Sequence, residues 1–188
     1  MSNPGFWRAF RNNAPALAAL IAQGSLREAF DIVESILEGH GMNYCFDLTE
    51  VGDQAVLVLT PEGDPVQARE IDELLKSKPE IEGWQVYGRR RRKPLQDALI
   101  FVLEIYGIDI SAATWSLRRS ESGDDEITMF SAAVTDLSAE QREGLVRTFL
   151  DHAVGEAVTM SRVSIATARH VGSGGLSAPE LVATLVGN

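Results

Sequence analysis

The sequence predicts an α+β protein made of two successive helix, strand, strand, helix, strand units. Three observations predict it: apolar stripes at helical spacing between glycines and prolines, short β-rich runs flanking polar turns, and the recurrence of one element order in both halves of the chain.

Phe6, Trp7 and Phe10 fall on one side of a short helix over Pro4 to Asn12, an aromatic face suited to docking on a core. A second helical piece over Pro15 to Ala22 ends near Gly24. Ser25 and Glu28 form a Ser-x-x-Glu capping box, and Leu26, Phe30, Val33 and Leu37 carry the following helix, 26 to 38, up to Gly39 and Gly41. Asn43 to Glu50 and Gln54 to Thr60 read as a hairpin across Val51-Gly52-Asp53. Asp64 with Pro65 opens a helix to about Ser77, and Trp84 to Tyr87 reads as a third strand.

The order then repeats. Leu95 to Tyr106 is an apolar helix stopped by Gly107, and strands Ala113 to Arg119 and Glu126 to Val134 flank the turn Glu121 to Asp125. Ser138 and Gln141 cap a helix to about Ala153, and Arg162 to Val171 alternates like a sixth strand. Gly172 to Gly175 is a linker into a short helix opened by Ser177, Pro179 and Glu180. These runs predict about six strands in a largely antiparallel sheet with helices on one face. From Tyr87 onward the element order is that of the ferredoxin-like motif. The divisions are 1–24 (N-terminal helical segment), 25–93 and 94–171 (the two units) and 172–188 (linker and terminal helix).

Composition narrows the function classes. The chain of 188 residues is 45% hydrophobic and 23% charged, ordinary globular values, and no apolar run approaches the roughly 20 residues that cross a bilayer. Met1 to Phe10 carries Arg8 but no secretory h-region, so a cytoplasmic location is expected. The lone Cys45 lies between Tyr44 and Phe46 and reads as a small core residue. A net charge of -10 disfavours nucleic acid and anionic lipid as partners.

The Phe6-Trp7 pair with Phe10 and Asn13, the turn Pro61-Glu62-Gly63-Asp64, and Gly83-Trp84 opening a strand that runs into arginines form a distinctive set. In the second half Leu150-Asp151 and Gly155-Glu156 add to it. With these residues the chain resembles a family of small uncharacterised bacterial proteins, a domain of unknown function. The resemblance implies no activity and no residue roles.

Against the acidic background, Arg89, Arg90, Arg91, Arg92 and Lys93 stand together at the end of the third strand, where alternate residues would point to opposite faces. The plain reading is a solvated strand end paired with the chain's own acids. The sharper ones are binding of an anion or an acidic protein surface by guanidinium groups, or of nucleic acid. Glu104 sits in an apolar helix, where burial would suit an acid/base group or a pair with Arg118 or Arg119. His40, His152 and His170 lack metal-ligand spacing, and Asp151-His152 with Glu156 reads as a surface helix end. No metal or cofactor is expected.

The function expected is therefore a non-catalytic binding or protein-interaction module. The alternative is an enzyme acting on an anionic small molecule, with Arg89 to Arg92 as clamp and Glu104, or Asp151 and Glu156, as acid/base. A protein partner or a homodimer through the C-terminal helix or a sheet edge suits either reading.

Overall fold

The computed structural model of the chain describes residues 3–187. It is α+β, and it divides into two compact units, Met1–Arg89 and Arg90–Asn188, so the boundary falls inside the arginine run. Each unit has its own core, and the N-terminal helix and the terminal helix belong to the first and second of these cores.

In the first unit, α1 (Pro4–Ala22) is a single helix that runs through Pro15, where two pieces were expected. Its buried face, Phe6, Trp7, Phe10, Ala14, Leu17 and Ile21, spans the proline, and side-chain packing outweighs the one backbone bond that proline removes. Two indole groups bolt it down: Trp7 Nε1 donates to the Leu74 carbonyl at 3.1 Å, and Trp84 Nε1 donates to the Ala14 carbonyl at 3.0 Å. Helix α2 (Leu26–Gly39) follows. Ser25 stands at its N-cap but its side chain makes no cap bond, because its backbone (φ -80°, ψ 51°) is not in the extended conformation that aims the hydroxyl.

Strands β1 (Cys45–Val51) and β2 (Gln54–Thr60) pair antiparallel across the two-residue turn Gly52-Asp53, where Gly52 takes φ +65°. Helix α3 (Pro65–Lys76), capped by Asp64, then carries the chain back, so that β3 (Trp84–Tyr87) lies parallel to β2. Cys45 is exposed at the start of β1 and not in the core.

The second unit repeats this plan. Helix α4 (Leu95–Tyr106) precedes the antiparallel pair β4 (Thr114–Arg119) and β5 (Asp125–Phe130), and a short 3-10 turn, Ala132–Val134, leads to α5 (Ala139–Leu150). A π turn (Asp151–Gly155) and α6 (Glu156–Arg162) complete the crossover to β6 (Val163–Arg169), which is parallel to β5. A bulge opposite Asp125 and Glu126 breaks the simple alternation expected of β6, so Val163, Ala166 and Ala168 are its buried residues. Helix α7 (Ala178–Val186) turns Ala178, Leu181, Val182 and Leu185 into the core of this same unit.

The six strands thus form two three-stranded sheets, ordered β1-β2-β3 and β4-β5-β6, each with one antiparallel and one parallel ladder. A hairpin produces the first kind of pairing and a helical crossover the second. β3 pairs with β2, so the ferredoxin-like order from Tyr87 onward describes the succession of elements along the chain rather than one sheet. No helix among the described residues is long and apolar enough to cross a membrane.

Candidate functional site

Strand β3 ends at Tyr87, before the cations begin, so Arg89 to Lys93 is an irregular segment and its side chains do not alternate between two faces. Within the first unit Arg89 folds back on α3: its Nη2 donates to the Ala68 carbonyl at 3.1 Å and to Asp72 Oδ2 at 3.2 Å. That guanidinium is committed to holding the end of its own unit.

The next four residues form a strap across the π turn of the second unit. The Arg90 amide donates to Glu156 Oε2 at 3.0 Å, and the Glu156 amide donates to the Arg90 carbonyl at 3.0 Å. Three residues on, the Lys93 amide donates to the His152 carbonyl at 2.7 Å. The π turn is what makes that last bond available, because its wider winding takes carbonyls out of the α pattern and they need another donor. At the crossing stands Gly155, with φ +96°. A Cβ there would lie 3.3 Å from the Arg92 amide nitrogen and 3.7 Å from the Arg90 carbonyl oxygen, so both the backbone angle and the close approach call for glycine.

Beneath the strap, Asp151, His152 and Glu156 are buried; His152 is 1% exposed and Glu156 is fully enclosed. This corrects the expectation of a surface helix end. The signal in the sequence was the setting: these polar residues are threaded through Ala153, Val154 and Ala157 directly after Phe149-Leu150. The buried Glu156 carboxylate serves a backbone amide, a fastening role. The His152 ring lies against Phe101 at 4.1 Å between centroids, and Lys93 Nζ sits 4.9 Å from the other ring's centre, that of Phe101, as a cation over an aromatic face. Leu150-Asp151 and Gly155-Glu156, the pattern singled out in the second half of the sequence, are the two ends of this turn.

Arg90 is half-buried, whereas Arg91, Arg92 and Lys93 are exposed, and Arg92 makes no hydrogen bond or ion pair among the described residues. The strap leads through Pro94 into α4, which buries only Ala98 and Val102 completely. On the opposite side of the helix Ile100 and Leu103 are each 44% exposed. They share that side with Gln96 by their spacing of four and three residues, and Asp97 and Glu104 flank them.

Glu104 is exposed, not buried, and its expected partners are engaged elsewhere: Arg118 with Glu126 at 2.6 Å and Arg119 with Asp125 at 2.9 Å. It stands about 14 Å along α4 from Leu95, where the strap joins, so α4 does not bring it to the guanidinium groups. His40 lies in the first unit, with Nδ1 2.8 Å from the Ile36 carbonyl, and His170 is exposed beyond β6. No group of three or more His, Cys, Asp or Glu suited to a metal ion occurs among the described residues.

A second charged constellation escaped the sequence reading. Asp125, placed there in a polar turn, is 1% exposed at the start of β5, where Arg119 Nη1 reaches Oδ1 at 2.9 Å and Arg162 Nη2 reaches Oδ2 at 2.8 Å. Arg162 also donates from Nη1 to the Leu185 carbonyl at 2.6 Å, which ties the last turn of α7 to the sheet. This cluster fastens the unit together. Compared with known proteins, the chain matches no family model, no curated protein and no solved structure.

Proposed function

We propose that the chain is a non-catalytic protein-interaction module, working in the cytoplasm, whose second unit docks a partner on the outer side of α4 and on the strap before it. One observation carries the reading: Ile100 and Leu103, large apolar residues of α4, are turned to solvent on the helix that follows three exposed cations in the chain. The partner surface that fits is apolar where it meets Ile100 and Leu103 and acidic where it meets Arg91 and Arg92. Asp97 and Glu104 restrict that acidic part to the strap end, since they would repel it farther along α4. The buried Glu156 carboxylate supports a binding role over a catalytic one, because it accepts the Arg90 amide and so holds the strap in place.

A photo-reactive residue in place of Leu103 tests this in cells. A discrete cross-linked product is expected there and not from a photo-reactive residue at Val66, an exposed apolar position on α3 of the first unit. Products that are the same at both positions, or absent at Leu103, would refute the reading.

A further inference from the structure

The two edges of the second sheet are treated differently. The outer edge of β4 is covered by the chain itself: the Trp115 amide donates to the Leu176 carbonyl at 2.8 Å, the Leu176 amide returns a bond to Trp115 at 3.0 Å, and the Gly174 amide donates to Thr114 Oγ1 at 2.9 Å. At the other end of the order, β6 pairs with β5 on one side and with no strand on the other among the described residues. Val163–Arg169 bulges at Ser164, near its start, and pairs regularly with β5 from Ile165 onward. It has no proline or glycine, and its one charge is Arg169 at the far end.

A groove of about 640 Å³ runs along this edge, between β6 and the first two turns of α5. Ile165, 48% exposed, is the apolar side chain this edge presents, while its neighbour Ala166 turns into the core. The opposite wall carries Glu140 and Glu143, both exposed. Glu140 has no hydrogen bond or ion pair among the described residues, and Glu143 holds Arg147 in an exposed pair at 2.9 Å that an incoming cation can displace at small cost.

From these features we infer that the groove receives an extended peptide segment, which adds a strand to the free edge of β6. Backbone hydrogen bonds supply the register-independent part of such binding, and alternate side chains supply the choice of sequence. The segment that fits has a small or medium apolar residue beside Ile165, and, on the alternate positions, lysine or arginine facing Glu140 and Glu143. This surface is separate from the α4 side and selects the opposite charge, so the two proposals stand or fall independently.

Three labelled heptapeptides test it by fluorescence anisotropy and by amide chemical-shift mapping of the full chain. One alternates lysine and valine, one alternates glutamate and valine, and one is the lysine peptide N-methylated at alternate amides. The lysine peptide is expected to shift the amides of Ser164 to Thr167 and to bind at least about tenfold tighter than either of the others. Glu140→Gln with Glu143→Gln, two exposed changes that leave the core alone, should weaken it by about tenfold. Equal binding of the N-methylated peptide would mean charge attraction alone and would overturn the inference. So would the absence of shifts at Ser164 to Thr167.

Discussion

Replacing Gly155 by alanine should loosen the strap and destabilise the second unit together. Its backbone, φ +96° and ψ 137°, lies outside the left-handed helical well in territory that a residue with a Cβ occupies at a cost of about 1–3 kcal/mol. The new methyl would also stand 3.3 Å from the Arg92 amide nitrogen, in a segment that cannot retreat without stretching the Arg90 and Lys93 amide bonds to Glu156 and His152. Each of those is worth about 1 kcal/mol net. Backbone strain with partial loss of one bond gives about 2–3 kcal/mol, which for a unit of about 100 residues lowers Tm by about 10–20 °C. Scanning calorimetry reads the shift, and hydrogen exchange reads its location: the Arg90 and Lys93 amides should exchange faster. Gly39→Ala, at the end of α2 with open space around it, serves as the control and should leave the second unit's transition unmoved. A Gly155→Ala protein that melts within about 2 °C of the parent with both amides still protected would refute the argument.

Other perturbations follow from the same contacts. Asp125→Ala removes the carboxylate that two arginines share and leaves Arg162, mostly buried, without its counter-ion; a loss of about 3 kcal/mol is expected in denaturant unfolding. Gly174→Ala would place a Cβ 2.0 Å from the Trp115 carbonyl oxygen, so the segment from Gly172 to Leu176 should leave the β4 edge and become a site of rapid proteolytic cleavage. The Ser177 hydroxyl and amide hold the Glu180 carboxyl below its ordinary range, and the Ser111 amide, with its hydroxyl, does the same for Asp109. A carboxyl lowered in the folded state stabilises the fold above its unfolded value and loses that contribution as pH falls through the lowered one. The Tm of Ser177→Ala should therefore lie below the parent's at neutral pH, and the two should converge under acid conditions below the Glu180 titration.

Elements bounded by glycine, proline or a capping residue were legible in the sequence. β2, β3 and α4 begin and end where the reading placed them, because Gly52, Gly63, Gly83, Pro94 and Gly107 punctuate them. Features decided by distant contacts were not. The continuity of α1 through Pro15 depends on Trp84 and Leu74, far along the chain. The π turn after Leu150 is satisfied by amides of the strap, some sixty residues earlier, which no local pattern of α5 announces. The division of six strands between two sheets depends on which edges meet, and alternation within a strand carries no such information.

At the candidate site the chemistry was legible and the geometry was not. Five successive cations in an acidic chain pointed to the segment, but strand alternation was the wrong frame for them once β3 had ended at Tyr87. Arg89 serves α3, the Arg90 backbone is pinned to Glu156, and Lys93 lies over Phe101; Arg91, Arg92 and Lys93 are the exposed residues of the run. Glu104 is a charge in an apolar helix. Its exposure follows from helix phase, since it lies on the side of Ile100 and away from Ala98 and Val102.

The most direct test of the interaction surface compares the parent protein with two sets of surface variants, Ile100→Gln with Leu103→Gln and Arg91→Ser with Arg92→Ser, in quantitative affinity capture from native cells. Thermal melts establish first that all three are equally folded. A protein retained by the parent and lost from both variants is the expected result. Capture that neither set of substitutions diminishes would contradict it.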